Sequence, residues 1–187
     1  MGDPRTLKTK YETPKRIWNE ERIAEEHALK TEYGLKNMRE LWIAKKMLRK
    51  IRRQARKLLS TGEQGQKEAD ELLRSAIRLG FAKEGTKLGD LLALTTRDIL
   101  ERRLQTRVVK LGLARSMKQA RQLIAHGYIS VNGSKISAPS YMVPVSEEKA
   151  IAYYKPINLE TPELKAKEAK KQGSTVEELA PKSPEEV

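Results

Sequence analysis

Residues 97–136 read RDILERRLQTRVVKLGLARSMKQARQLIAHGYISVNGSKI, and their periodicity decides the fold. Leu100, Leu104, Val108 and Leu111 recur at steps of four, four and three, which places them on one helical face and predicts its burial. Arg102, Arg103, Arg107 and Lys110 take the remaining faces. Thr95 with Asp98 is an N-cap signal, and Gly112 follows the last apolar position, where a left-handed residue closes a helix. Ser116 and Gln119 repeat the cap pattern for a second helix, with Met117, Ala120, Leu123 and Ile124 turned inward and Lys118 and Arg121 outward. That helix stops near Gly127. Ile129 and Val131 then alternate with Ser130, and Asn132-Gly133 before Ile136 is the dipeptide of a two-residue primed turn, in which both positions need positive φ. The predicted order is a helix over 97–111, a helix over 116–126 and a hairpin.

Working outward from this stretch, the charge proves unevenly placed. Residues 35–59 carry ten basic side chains against one acid, and residues 95–128 carry eight against two. Together they exceed the net +13 of the whole chain, so the remainder is slightly acidic. Cations at this density repel one another unless a polyanion neutralises them. In the earlier stretch Leu41, Ala44, Leu48, Ile51, Ala55 and Leu58 recur at three- and four-residue intervals, predicting a long helix whose start is marked by Asn37 and Glu40. Lys45, Lys46, Arg49, Lys50, Arg52, Arg53, Arg56 and Lys57 cover its other faces, where phosphates are expected. A solvated helix face and a basic helix lying on a membrane surface are the blander readings; the interleaved acids that would favour the first are absent.

Lys67 to Leu79 is predicted as a shorter helix, with Ala69, Leu72, Leu73, Ala76 and Ile77 on one side and Gly80 at its end, reached through the connector Thr61-Gly62-Glu63-Gln64-Gly65. Leu88, Leu91, Leu92 and Leu94 suggest another short helix. Beyond Ile136, Tyr141, Val143 and Val145 and then Ile151 and Tyr153 alternate as in two further strands, shortened by Pro139, Pro144 and Pro156. Asn19 to Thr31 reads as a helix with acids in its first turn, whereas residues 1–18 are expected to order only against a partner. From Glu160 onward the mixture of acids, lysines and prolines reads as a solvated tail with one helix around Leu164 to Lys171. The expected organisation is an N-terminal extension with one helix (1–34), a basic helical subdomain (35–94), a binding module (95–158) and a charged tail (159–187). The class is α+β: a mainly helical subdomain beside a module of two helices followed by a short antiparallel sheet, with extended termini.

Enzymatic chemistry has little to stand on. His27 and His126 lie far apart in a chain without cysteine, and no Gly-rich phosphate loop, Gly-x-Ser-x-Gly elbow or His-Glu-x-x-His pair occurs. His126 is expected at a helix end and His27 in packing. Trp18, Trp42 and Phe81 are expected to be buried rather than to stack on bases. No run reaches the roughly 18 apolar residues of a membrane span, and no signal-peptide core is found, so a cytoplasmic location is expected. At 187 residues the chain offers little room for a catalytic domain beside a binding module.

The run LERRLQTRVVKLGLARSMKQARQLIAHGYISVNG resembles the RNA-binding domain of the small-subunit ribosomal protein S-four family, in its archaeal form. The matching features are Leu100-Glu101-Arg102-Arg103-Leu104-Gln105, Gly112-Leu113-Ala114, Ala120-Arg121-Gln122-Leu123-Ile124, Val131-Asn132-Gly133 and Pro139-Ser140-Tyr141-Met142-Val143. Lys10-Tyr11-Glu12-Thr13-Pro14 and Tyr33-Gly34-Leu35-Lys36-Asn37 resemble the archaeal and eukaryotic branch. The lack of cysteine leaves no ligands for the zinc site of some bacterial members. The resemblance implies a non-catalytic structural constituent of the small (30S) ribosomal subunit. Such a protein binds 16S rRNA as a primary binder, nucleates assembly of the subunit body, and influences accuracy through contact with ribosomal proteins S-five and S-twelve. No cofactor, metal, membrane or small-molecule substrate is implied.

RNA contacts are expected from Arg102, Arg103, Arg107, Lys110, Arg115, Lys118 and Arg121 in the module, and from Lys45, Lys46, Arg49, Lys50, Arg52, Arg53 and Arg56 in the helical subdomain. Replacing Arg103 and Arg107 together is expected to weaken binding and leave thermal unfolding nearly unchanged. Two other classes compete. An RNA-modifying or tRNA-handling enzyme with the same module would need a larger catalytic domain than the helical, lysine-rich residues before it provide. A helix-turn-helix DNA regulator would use the two helices at 97–111 and 116–126.

Overall fold

Asn19 opens the first regular element, its side chain accepting from the Arg22 amide at 2.9 Å. In the computed structural model, which describes residues 10–156, α1 then runs Glu20–Glu32 with Glu20 and Glu21 in its first turn, where carboxylates suit the helix dipole. The helix at Leu164 to Lys171 and the tail lie outside the described residues. Gly34 turns the chain at φ +56°, and α2 follows over Met38–Thr61. Its buried positions are the six of the predicted stripe, Leu41, Ala44, Leu48, Ile51, Ala55 and Leu58. After a 3-10 turn at Gly62–Gly65, α3 (Gln66–Arg78) ends at Gly80, whose φ of +73° lets the Phe81 amide reach the Ala76 carbonyl at 2.9 Å. Phe81 is thereby drawn into the core. The helix expected around Leu88–Leu94 shrinks to a 3-10 turn at Asp90–Leu92, because the Asp90 carboxylate accepts from the Lys87 amide and closes a turn.

The predicted helix over 97–111 is two helices, α4 (Thr96–Glu101) and α5 (Leu104–Lys110), broken at Arg102 and Arg103. No glycine or proline marks the break. A distant segment takes over the backbone groups that a continuous helix would have paired internally. The amide of Leu104 donates to Tyr141 O at 2.8 Å, and that of Val143 donates to Arg102 O at 3.0 Å. Arg103 is extended, with ψ 144°, and bridges to Met142. Leu104 and Val108 stay buried, but Leu111 is 43% exposed. The same trade corrects the expected strand through Tyr141, Val143 and Val145. Residues 139–143 pair with the helix break, and Pro144, which has no N–H for a ladder, leads into a 3-10 turn over Val145–Ala150.

Ser116 caps α6 (Met117–Ala125) by accepting from Gln119 N at 3.2 Å, and α6 packs on α5. Strands β1 (Ile129–Val131) and β2 (Ser134–Lys135) meet at Asn132 and Gly133, with φ of 51° and 76° as the primed turn demands. β3 (Ile151–Tyr153) pairs with the other edge of β1, giving the antiparallel order β2-β1-β3 with Val131 opposite Ser134 and Ile151. A single core cluster joins Leu41, Leu48 and Ile51 of α2, Ala76 of α3, Phe81, Leu91 and Leu94 of the connector, and Ile99 and Leu100 of α4. Thus α4 packs against the long basic helix and carries the module into register with it.

Candidate nucleic-acid interface

Burying six positions of α2 along one stripe forces its cations onto the opposite faces. They are not equivalent. Near the start of the ridge, Lys45 Nζ lies 2.7 Å from Glu26, Arg49 pairs with Glu12, and Lys46 stands 4.0 Å from the same Glu12. Arg52 donates to the carbonyl of Leu94. Further along, Lys50, Arg53, Arg56 and Lys57 are exposed and have no carboxylate partner among the described residues. Glu68 and Glu71 of α3 share a groove with Lys50 and Lys57 without closing an ion pair. The second half of α2 is therefore a ridge of exposed cations that close no ion pair among the described residues.

Glu26 explains the balance at the other end. It is 3% exposed and accepts from Lys45 at 2.7 Å, Arg22 at 2.7 Å and the Trp42 indole at 3.3 Å. Burial works to raise its pKa, but the bonds from Lys45, Trp42 and Arg22 outweigh it and hold the carboxyl below its ordinary value. Tyr11 lies with its ring centroid 6.0 Å from that of Trp42, and Arg39 sits 5.7 Å over Tyr11. Within the segment expected to order against a partner, Tyr11 and Glu12 thus lie against α2. Of the three aromatics expected to be buried, Phe81 is, Trp42 is half-buried and Trp18 is 90% exposed. His27 is exposed rather than packed, and His126 is the exposed C-cap of α6.

In the module the expectation of outward-facing cations needs correction. Arg102 and Arg103 are buried, and Arg107 and Arg121 are half-buried. Each holds a carboxylate. Glu148 receives Arg102 at 3.0 Å and also pairs with Arg107. Glu40 receives Arg103 at 2.7 Å and pairs with Arg121. Glu40 stands in the first turn of α2, as its place after Asn37 predicts, and is also the acid that ties that helix to the break before α5 and to α6. The pKa of its carboxyl is raised by burial but lowered further by the bonds from Arg121 and Arg103, so it lies below the usual glutamate value. Burial depresses the pKa values of Arg102 and Arg107 without threatening their charge. Gln105, 1% exposed, completes the joint: its amide nitrogen donates to Met117 O at 2.8 Å and Gly34 O at 3.2 Å, and its oxygen accepts from Arg121 at 3.3 Å.

What remains outward is a smaller set. Lys110 is exposed but paired with Glu101 at 2.7 Å, while the side chains of Arg115 and Lys118 are exposed without a carboxylate partner among the described residues. Sequence reasoning missed Glu40, Glu148 and Gln105. The one available signal was Glu40 itself, the single acid among the ten cations of residues 35–59. Among the described residues no cluster of His, Asp and Glu could hold a metal ion, and no helix is long and apolar enough to cross a membrane.

The helical pair α5 and α6 and the hairpin that follows belong to a module of known type: the S4 domain profile matches residues 102–149. Similarity extends well beyond that module. The small ribosomal subunit protein uS4 of Methanothermobacter thermautotrophicus is 50% identical over 155 residues, covering 82% of this chain and 91% of that protein. Its counterpart from Methanococcus aeolicus is 54% identical over 82% of this chain and 88% of its own length. That of Saccharolobus solfataricus is 47% identical over 82% and 86%. The chain belongs to the family of small ribosomal subunit protein uS4.

Proposed function

We propose that the protein is a non-catalytic constituent of the small ribosomal subunit in the cytoplasm that binds 16S rRNA directly. On this reading it nucleates folding of the subunit body and contacts the S-five and S-twelve proteins, through which it influences accuracy. The observation that carries the RNA-binding part is the second half of α2, where Lys50, Arg53, Arg56 and Lys57 are exposed and none is held in an ion pair among the described residues. Family membership supports the ribosomal part. Side chains cannot read the deep groove of A-form RNA, so a rigid row of cations works by bridging phosphate backbones and recognising shape.

Lys50, Arg53, Arg56, Arg115 and Lys118 are the cations that meet phosphate without first releasing a partner. Lys45, Lys46, Arg49 and Lys110 must exchange carboxylate for phosphate, which costs little at exposed pairs. Arg52, Arg102, Arg103, Arg107 and Arg121 serve mainly to hold the ridge and module in place. Competition binding of the full chain to an archaeal 16S rRNA transcript against duplex DNA of equal length tests the reading. Preference for the transcript is expected, with affinity falling linearly in log salt. Preference for duplex DNA would favour the helix-turn-helix regulator and overturn it.

A further inference from the structure

We infer that Ile17 and Trp18, with the outer face of α1 beside them, form a docking surface for a basic protein neighbour rather than for RNA. The inference rests on the ribosomal reading and assigns a face that the cationic ridge leaves unused. Trp18 is 90% exposed and Ile17 65%, the two highest values among the large apolar side chains of the described residues. Adjacent apolar side chains left this far in water mark an interaction surface, and tryptophan is among the residues that most often anchor one.

Local structure offers Trp18 a place that it does not take. It stands just before the N-cap Asn19, where an apolar residue ordinarily packs on the fourth residue of the helix, here Ile23. So exposed a side chain makes little of that contact. The pair is nevertheless held in position. Arg22 Nη2 donates to the carbonyls of Ile17 at 2.8 Å and Arg16 at 3.3 Å, while its Nη1 donates to the buried Glu26 at 2.7 Å. Glu26 is fixed in turn by Lys45 and Trp42 of α2. The backbone that presents the two side chains is therefore tied to α2 before any partner arrives, and such preorganisation lowers the entropic cost of binding.

Charge decides the occupant. Lys15 and Arg16 precede the pair, but Glu20 and Glu21 follow it at the start of α1, and Glu25 lies one turn beyond Glu21 on the same face. All three acids are exposed and hold no cation among the described residues. Phosphates running along α1 from a base stacked on Trp18 would meet these carboxylates, and like charges brought together oppose binding. A protein surface with an apolar pocket for Trp18 and arginines or lysines at its rim satisfies both features. Ala24 and Ala28, exposed on α1 as well, are small enough to let such a surface approach the helix closely.

The test uses full-length Trp18→Ser and Glu21→Gln/Glu25→Gln variants beside the parent. Affinity for an archaeal 16S rRNA transcript and melting temperature are measured for each. Parent and variant then compete for entry into small subunits reconstituted from purified components. Both variants should melt like the parent and bind the bare transcript at least as tightly. In the competition the share of Trp18→Ser should fall about fivefold or more, and that of the charge variant by less. Trp18→p-benzoylphenylalanine should cross-link, in those subunits, to a segment of another protein rich in lysine or arginine. Weaker binding of Trp18→Ser to the bare transcript, or a cross-link to rRNA, would mean that Trp18 stacks on a base; the inference is then overturned while the RNA-binding reading stands. A cross-link to a second copy of the chain, or equal shares in the competition, overturns it as well. If the parent itself does not enter subunits, the ribosomal reading falls too.

Discussion

Glu40 decides how much of the module's positive charge is available to a partner. Arg103 is 5% exposed and shares Glu40 with Arg121, so its removal forfeits a charge-assisted bond but leaves the carboxylate paired with Arg121. Arg103→Ala should therefore cost about 1.5 to 3 kcal/mol, read as a lowered midpoint in urea unfolding. That reverses the expectation, drawn from the outward position of Arg103 and Arg107 on an unbroken helix, that their loss would leave unfolding unchanged. The acid limb follows from the same carboxyl. Its folded pKa is depressed, so the stability it contributes is complete above the ordinary glutamate value of about 4.3 and is lost as pH falls below that value through the folded one. Glu40→Gln should flatten the fall in melting temperature between neutral pH and pH ~3; an unchanged acid limb would remove Glu40 from this role. Gly80 is the other exacting position. A Cβ there would meet Arg102 Cζ at 2.8 Å at a φ of +73°, so Gly80→Ala should cost at least about 1 to 2 kcal/mol in thermal unfolding.

At the scale of the element, α2 illustrates a helix written entirely in local periodicity. All six stripe positions are buried, and the cations fall where the stripe leaves room. The stretch from Thr96 to Lys110 behaves differently, because residues 139–143 supply hydrogen bonds that make a break as favourable as continuation. Its consequence is measurable. Leu104, wholly buried at the first turn of α5, should lose about 2 to 5 kcal/mol as Leu104→Ala, whereas Leu111→Ala, beyond the end of α5 and 43% exposed, should change chemical stability by less than about 1 kcal/mol. Equal losses at both sites would mean that the stripe runs unbroken to 111. The hairpin is the opposite case, since Asn132-Gly133 dictates its turn through positive φ and needs no distant partner.

For the whole molecule, available charge rather than total charge sets how rRNA binding responds to salt. Alanine at Lys50, Arg53 and Arg56 together should lower the slope of log affinity against log salt by about 2 to 3 without moving the melting temperature; an unaltered slope would place the RNA elsewhere. The sequence alone determined the helix faces, the caps at Thr95 and Ser116, the primed turn and the two basic stretches, because each depends on residues within one or two turns of one another. Tertiary structure decided which of those cations stay outward, where the helix over 97–111 breaks, and that Trp18 is left outside the core. The reason is separation along the chain. Glu40 lies 63 residues from Arg103 and 81 from Arg121, and Glu148 lies 46 from Arg102. No periodicity records which acid meets which arginine over such distances; only closure of the chain around the shared core of α2 and α4 brings them together.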